Sequence, residues 1–563
     1  MSKGAVQEPK EPSDVGVQEL RSRTRDEARV LVAGAGPAGA ILSLELARHG
    51  IRSRVVDRAA APPLFPKMDY INARSMELLR RLGLADRIRA GAVPAGFDAD
   101  FVFLTGVDEP PVAVWRQPSP RAQAERYAAA ADDGTGAVEP YLRITGSLLE
   151  DVLRQALREH PLVDFEESVE LTDLEQDPDG VTVALADRAA APAGRGRELR
   201  VEYLVGCDGG NSAVRRALGV DQPVSGPSSS RCSVYFRSSD PLLRRHGRAF
   251  ITTSARGITL VSRDEGELWT ASFQIPDGTR FDGDPVAAMG EKLGEAFTVD
   301  EVLTVSHWTG TLAVTERYRE GRVFLAGDAA HQFYPFGGHG ANTGIADAVD
   351  LGWKLAARLG GWGGEDLLAS YEEERRPVAL FNKEMSANLL EVWRRFGQLA
   401  RDGASREHLA GFLEREAYQV DNSGIHFGHR YHRSRVVAAE PGPAPRWDWT
   451  GITPRVWPGG RVPAVRLADG TPLFDRLGPG LTLVDLSGTG AGAPLAKLAA
   501  EQGVPLEHLA LEGAEGAAVR AVWGAGLVLV RPDQHAAWRG DRLPEDAPAL
   551  LDLVLGRAKA VGA

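Results

Sequence analysis

Val30-Leu31-Val32-Ala33-Gly34-Ala35-Gly36-Pro37-Ala38-Gly39 is the stretch on which the fold turns. Its four apolar residues read as a buried strand, its glycines as a tight turn, and residues 38–49 as the helix that follows. A second buried run at 53–57 completes a β-α-β unit. In that setting each glycine has a physical task. Gly34 permits the turn, Gly36 lets backbone N–H groups approach a pyrophosphate, and Gly39 lets helix and strand pack closely. Ala35, Pro37 and Ala38 complete a helix N-terminus that favours the anion. Asp57, 18 residues beyond Gly39, is placed to accept a ribose hydroxyl, with Arg58 beside it. A βα turn without a ligand explains the glycines but not the acid, so the stretch predicts a dinucleotide site. It does not choose between NAD and FAD.

Composition narrows the class. The 563 residues carry 65 Lys+Arg against 77 Asp+Glu, a formal charge of −12. Such an acidic balance lacks the cationic footprint of a nucleic-acid or anionic-membrane binder. No apolar run reaches the roughly 18 residues of a spanning helix, and the start MSKGAVQEPKEPSDV has no apolar signal stretch. Two cysteines, Cys207 and Cys232, cannot form a disulfide framework. The expectation is a cytoplasmic globular protein.

Along the chain, residues 1–28 are polar and aperiodic and read as a tail. Asn72 reads as the N-cap of a helix carrying Met76, Leu79 and Leu82 on one face. Residues 107–139 are rich in Pro, Ala and charge and form an excursion. Alternating runs at 181–185, 198–205, 233–237, 257–262 and 268–274 read as strands of a mixed sheet. Residues 343–400 read as helical throughout, 438–451 as a linker, and 455–563 as a small α/β unit.

Two further motifs follow in order. Cys207-Asp208-Gly209-Gly210-Asn211-Ser212 ends a strand and starts a helix, and Gly327-Asp328-Ala329-Ala330-His331 precedes Pro335-Phe336-Gly337-Gly338-His339-Gly340-Ala341-Asn342. A helix-capping Asp would explain Asp328 alone, but not the Gly-rich run downstream. With the first motif, the set resembles the class A flavoprotein monooxygenases, the single-component FAD-dependent aromatic hydroxylases, over residues 29–435. The resemblance implies that Asp328 bonds the FAD ribityl chain and that backbone around Gly338, Gly340, Ala341 and Asn342 meets the isoalloxazine edge. It implies that Asp208 serves FAD and nicotinamide binding, and that Gly327 and Pro335 belong to the cofactor-binding set. Where many relatives carry Ser-Gln-x-x-Leu-Glu, this chain has Thr145-Gly146-Ser147-Leu148-Leu149-Glu150, so Arg143 or local backbone is expected to replace the missing Gln.

Lys67-Met68-Asp69-Tyr70-Ile71-Asn72-Ala73-Arg74 looks like the phenol and chlorophenol hydroxylase or polyketide-tailoring branch. There, an Arg at the place of Arg74 reaches the FAD pyrophosphate beside Asn72, and an acid five positions earlier, here Asp69, faces the phenol. A surface or capping Asp is the plainer reading, but Asn72 is the better cap. Reduced flavin takes up O₂ as a C4a-hydroperoxide that attacks an electron-rich ring, and a phenolate is the better nucleophile. An Asp of ordinary pKa about 3.9 is a weak base for a phenol near 10, so burial must raise it or a relay must help it. The substrate is expected between the sheet, near Val234 and Phe236 within 234–237, and Pro335, Phe336 and Gly337.

Gly488-Thr489-Gly490-Ala491-Gly492-Ala493 mimics a second fingerprint, but with a strand pair at 521–523 and 527–531 the unit resembles the thioredoxin-like tail of phenol hydroxylase relatives. It lacks the redox cysteine pair, which leaves packing or oligomerisation as its role. Trp447-Asp448-Trp449 departs from the halogenase pattern and reads as linker packing; the histidines have no metal-ligand spacing.

The resulting expectation is an α/β protein. A p-hydroxybenzoate-hydroxylase-like Rossmann FAD domain (29–106, 140–225, 310–400) is interleaved with a mixed and antiparallel substrate domain (107–139, 226–309). A helical linker segment (401–454) leads to a thioredoxin-like domain (455–563). Its expected activity is hydroxylation of a phenolic or heteroaromatic substrate with O₂ and NAD(P)H, NADPH favoured, and with no metal. A Baeyer–Villiger oxygenase, a halogenase and a non-catalytic FAD-binding homologue stay open.

Overall fold

The computed structural model describes residues 28–130, 133–188, 196–447 and 449–557. The expected tail therefore lies outside the described residues, save Ala28. No described helix is long and apolar enough to cross a membrane.

Strand β1 (Val30–Ala33), helix α1 (Pro37–Arg48) and strand β2 (Ser53–Asp57) form the expected β-α-β unit. All four β1 residues are buried because parallel partners flank it on both sides: 203–206 on one, β2 on the other. The sheet continues through 323–325 and 163–167, with the antiparallel pair 319–320 at one edge. Strand β3 (Tyr70–Ile71) pairs with Leu142–Arg143, and helix α2 (Ala73–Arg81) follows it. Asn72 caps α2, its side chain accepting from the Ser75 N–H at 2.7 Å.

The second sheet has eight strands and is the substrate domain's frame. Its long strands are β4 (Val224–Arg237), β5 (Ile258–Ser262), β6 (Leu268–Gln274) and β7 (Glu301–Val314). β4 lies between β6 and β7, antiparallel to both. Strand Phe101–Leu104 also belongs here, so the FAD-domain boundary expected at 106 falls too late. The expected strand 198–205 is two: Arg197–Val201 pairs in a small three-stranded sheet, while Tyr203–Gly206 returns to the parallel sheet. Helices α3 (His339–Leu359) and α4 (Glu365–Arg401) replace the single helical run, with glycines at 360, 361, 363 and 364 breaking it.

The C-terminal unit is a four-stranded sheet with a helix on either side of its parallel pair. Residues 513–523 form a helix that Gly524, at φ 73°, terminates, so the strand expected at 521–523 is helix instead. The hairpin is β8 (Leu527–Val530) with β9 (Ala536–Gly540).

The turn between β8 and β9 ties this unit to the rest. Arg531 is fully buried and meets Glu374 of α4 at 2.7 and 2.8 Å, Asp350 of α3 at 2.9 Å and Asp533 at 2.6 Å. Lys354 meets Asp350 at 2.8 Å and Glu374 at 2.6 Å. Burial would raise these carboxyl groups, but Arg531 and Lys354 hold Glu374 well below its ordinary range. Of the three acids, close enough to grasp a cation, two are matched by the side-chain cations Arg531 and Lys354, and burial pushes the carboxyl of Asp350 well above its ordinary range. The same turn reaches α2: Arg74 donates to the Asp533 carbonyl at 2.6 Å and the Gln534 side chain at 2.5 Å. Arg461 joins there by pairing with Glu77 at 2.5 Å.

Removing Arg531 would leave three buried carboxylates facing one lysine. Arg531→Met is expected to destabilise the protein by about 3–5 kcal/mol, read as a fall in urea midpoint. A loss under about 1 kcal/mol would show that the cluster does not hold the domains.

Candidate active site

Three backbone turns meet at the C-terminal ends of the parallel strands. The first is the 34–39 turn. A Cβ on Gly34 would lie 2.3 Å from the Cys207 carbonyl oxygen, and one on Gly39 would lie 1.9 Å from that of Gly34, so both positions exclude any side chain. A Cβ on Gly36 would meet nothing within 4 Å. α1 starts there without a side-chain cap, which leaves first-turn N–H groups facing open space. Asp57 steadies the turn by accepting from the Ala35 N–H at 2.7 Å and the Ala59 N–H at 2.8 Å. Arg58 is exposed next to it.

The second turn, 327–329, lies against α1 and α3. A Cβ on Gly344 would sit 3.2 Å from the Gly327 Cα and 3.5 Å from the Ala38 Cβ. Asp347 fastens this turn, accepting from His331 at 2.6 Å and Arg375 at 2.7 Å. Asp328 is solvent-exposed and makes no hydrogen bond to the described residues, yet protein surrounds it. That crowding pushes its carboxyl above the usual range, against His331 and Lys67.

The third turn carries Gly337 at φ 81° and Gly338 at φ 66°, conformations that favour glycine. α3 begins here, again without a side-chain cap, and a Cβ on Gly340 would meet nothing within 4 Å. Asn342 holds the turn to β3 and α2. It accepts from the Asn72 N–H at 3.0 Å and donates to the Tyr70 and Gly338 carbonyls at 3.1 and 2.7 Å. Ala341 follows in the open first turn, and Pro335 is exposed before it.

Two open helix N-termini, an unpartnered acid between them and glycines with space above them fit FAD. The groups that could hold it are the N–H groups of 35–39, Asp57, Asp328 and the N–H groups of 338–342. Asp208 caps the helix after its own strand, accepting from Ala213 at 2.6 Å, while its other oxygen is buried without a partner. That orphaned oxygen leaves it able to accept from a ligand.

Two expected cofactor contacts are committed elsewhere. Arg74 is buried on Glu77, Asp533 and Gln534, so it clamps the C-terminal domain instead of reaching a pyrophosphate. Arg143 donates to Glu265 at 2.5 Å and the Ser262 carbonyl at 2.7 Å, and its guanidinium covers Phe250 at 4.1 Å. It cannot stand in for the missing Gln. At Gly146 a Cβ would already lie 3.1 Å from Met68, so the residue permits close packing.

The expected substrate residues are corrected by strand parity. Val234 and Phe236 are 0% exposed and pack into the hydrophobic core on the far face of the sheet. Alternation puts Arg231, Ser233 and Tyr235 on the other face, with Thr270 and Ser272 opposite them on β6. Phe336 is buried edge-on against Trp393 at 4.3 Å, a supporting position. The polar face adjoins β3, since Phe101, Ile251 and Val261 pack with Tyr70 and Tyr141. Asp69, next to Tyr70, is ion-paired with Arg263, which in turn donates to Thr270 at 2.8 Å. Burial pushes the Arg263 guanidinium down to about 9, and Asp69 is its counter-charge. Asp69 thus has a local partner that the sequence did not reveal.

A further cleft opens beyond Tyr70, lined by Gln117, Tyr127, Asp421 and His426. Burial pushes His339 down to about 4 and His426, its neighbour at 6.1 Å, to about 3, so both stay neutral. Trp447 donates to the Gly424 carbonyl and packs on Phe381 at 4.7 Å, as expected of linker packing.

Comparison with known proteins agrees with this arrangement. The FAD binding domain family model matches residues 27–384, and the aromatic-ring hydroxylase C-terminal model matches 455–558. The chain is 34% identical to the FAD-dependent monooxygenase apdD of Emericella nidulans, over 93% of this chain and 89% of that protein. It is 31% identical to aklavinone 12-hydroxylase RdmE of Streptomyces purpurascens, over 94% and 98%. The solved rebeccamycin biosynthetic enzyme RebC with reduced flavin superposes with a TM-score of 0.83 at 33% identity, covering 94% of this chain and 99% of that one.

Two glycines should separate binding from folding. Gly36→Ala, at φ −66°, is expected to leave the apo fold intact and weaken FAD at least about tenfold, or ~1.4 kcal/mol. Gly39→Ala should destabilise the apo protein itself by about 1–3 kcal/mol. Equal FAD titrations for wild type and Gly36→Ala would refute the open-approach reading. Asp328→Asn should also lose FAD, yet stabilise the apo protein. A raised folded pKa lends stability only below the unfolded value, near 3.9, and forfeits it as pH rises through the folded one. The gain should therefore be absent at pH 3.5 and present at pH 7 in apo-protein melts; a gain independent of pH would contradict it.

Proposed function

The chain belongs to the FAD-dependent aromatic-ring hydroxylases, the monooxygenases that put one oxygen atom of O₂ on an aromatic substrate, and we propose that it acts on a fused-ring phenol of the polyketide kind with NADPH as reductant. The observation that carries the substrate reading is the polar sheet face running from Arg263 along Thr270 and Ser272 to Arg231. Hydroxyls and guanidinium groups spaced along β6 suit an extended ring system bearing several oxygens. The similarity to aklavinone 12-hydroxylase RdmE supports the size class.

FAD held here would, when reduced, activate O₂ so that one oxygen atom goes to the ring and the other leaves as water. The protein's part is to hold, orient and deprotonate. Asp69 sits one residue before Tyr70, whose carbonyl is bonded to Asn342 and whose ring edges Gly338. Its carboxylate, paired with Arg263, is able to accept a hydrogen bond from a phenol. We assign it the task of orienting the phenol and passing its proton to solvent as the ring becomes nucleophilic. The sheet face and the aromatic cluster of Tyr70, Tyr141 and Phe101 keep bulk water from the reacting carbon.

Asp69→Asn keeps the size but not the charge. Hydroxylation is expected to slow by about 10²–10⁴-fold, while flavin reduction by NADPH changes little, so H₂O₂ formed per NADPH rises. Raising pH towards the phenol pKa should partly restore product. Product per NADPH, measured across pH with a hydroxylated anthraquinone or naphthol, decides the matter. Unchanged coupling in Asp69→Asn would leave the Asp69–Arg263 pair as a structural bridge.

A further inference from the structure

Arg231 is 9% exposed, and two of its nitrogens are fixed on one residue: Nε donates to the Ser272 hydroxyl at 2.8 Å and Nη2 to the Ser272 carbonyl at 3.0 Å. Its remaining nitrogen, Nη1, has no partner among the described residues, and no carboxylate among them lies within ion-pair distance. This sets it apart from several other buried arginines. Arg143 meets Glu265, Arg375 meets Asp347, and Arg461 meets Glu77. A guanidinium taken out of water without a counter-charge is unfavourable by several kcal/mol per ion. Burial pushes Arg231 down to about 10, which leaves it charged at neutral pH.

Its surroundings hold it ready. The Ser272 hydroxyl is bonded to the Ser233 hydroxyl at 2.9 Å, and the Trp308 indole N–H donates to Ser233 at 2.9 Å. These groups share the sheet face that carries Arg263, whose anchor Thr270 lies two residues from Ser272 on β6, about 7 Å along the strand. Arg263 already has its acid in Asp69. Arg231 has none, at the other end of the same stripe.

We propose that Arg231, oriented by Ser272, is a specificity subsite for an anionic oxygen of the substrate, carried on a ring remote from the one hydroxylated at Asp69. The anion is a carboxylate or an ionised phenol or enol; either gives the charge-assisted, planar contact that a guanidinium selects. The inference rests on the reading that the substrate lies against this sheet face.

The test uses FAD-loaded full-length protein and three probes: 3-hydroxy-2-naphthoate, its methyl ester and 2-naphthol. Binding is read as perturbation of the flavin absorbance at pH 7 and pH 9.5. Wild type is expected to bind the acid at least about tenfold more tightly than the ester at pH 7. Tightening of 2-naphthol between the two pH values would assign the subsite to an ionised phenol instead. Arg231→Gln should bring both preferences to within about twofold, while Arg231→Lys keeps part of them. Ser272→Ala leaves the charge but frees its orientation and should give an intermediate ratio, which guards against a folding defect in the Arg231 variants. If wild type binds the probes without either preference, or Arg231→Gln keeps one, the subsite is refuted while the sheet-face reading stands. If no probe perturbs the wild-type flavin, the sheet-face reading fails and the subsite falls with it.

Discussion

The first-turn N–H groups of α1 and α3 have no side-chain caps, and both helices open towards the same crowded junction. An uncapped helix end left dry is unfavourable, and an uncapped end beside an anion is favourable. That pair of open ends is the constraint around which the rest is arranged. It explains why Gly36 and Gly340 have space above them while Gly34 and Gly39 have none. It also accounts for Asp328, which makes no hydrogen bond to the described residues and so is left able to accept from a ligand.

Holding two helix ends in register needs rigidity behind them. Asp347 ties the 327–331 segment to α3 and α4, and Asn342 ties the start of α3 to α2. The C-terminal turn 531–535 then grips α3 and α4 through Arg531 and α2 through Arg74. Arg375 adds a route through Tyr431, whose ring lies 4.5 Å from His535. The thioredoxin-like unit, having no redox cysteines, therefore acts as a brace on two elements of the flavin site. Buried pairs of this kind contribute little net stability compared with apolar packing, but breaking one is costly. Such a brace fixes geometry more than it adds stability.

How much was legible in the sequence follows from the range of each interaction. The β-α-β unit, the Asn72 cap and the 327–342 loop are local patterns that stand where the residues put them, as does the C-terminal unit apart from 521–523, which is helix. The side-chain roles of Arg74 and Arg143 depended on partners 459 and 122 residues away, which no local pattern announces. Asp69 was placed at the site, but its partner Arg263 lies just past a strand end with no motif of its own. Val234 and Phe236 were misjudged for a different reason. The strand was found, but its parity is set by which face meets the apolar core, and moving one residue exchanges the faces. Applied to Ser-Arg-Cys-Ser-Val-Tyr-Phe, the alternation of polar 231 and 233 with apolar 232, 234 and 236 held that answer.

Amide hydrogen exchange of the apo protein before and after FAD addition tests most directly whether the two helix N-termini grip FAD and whether the C-terminal turn is mechanically part of that grip. Protection is predicted to rise at residues 35–40 and 338–343 and, through the brace, at 531–535, with little change on the far face of the eight-stranded sheet. Protection that leaves either helix start unchanged, or that stops short of 531–535, would contradict it.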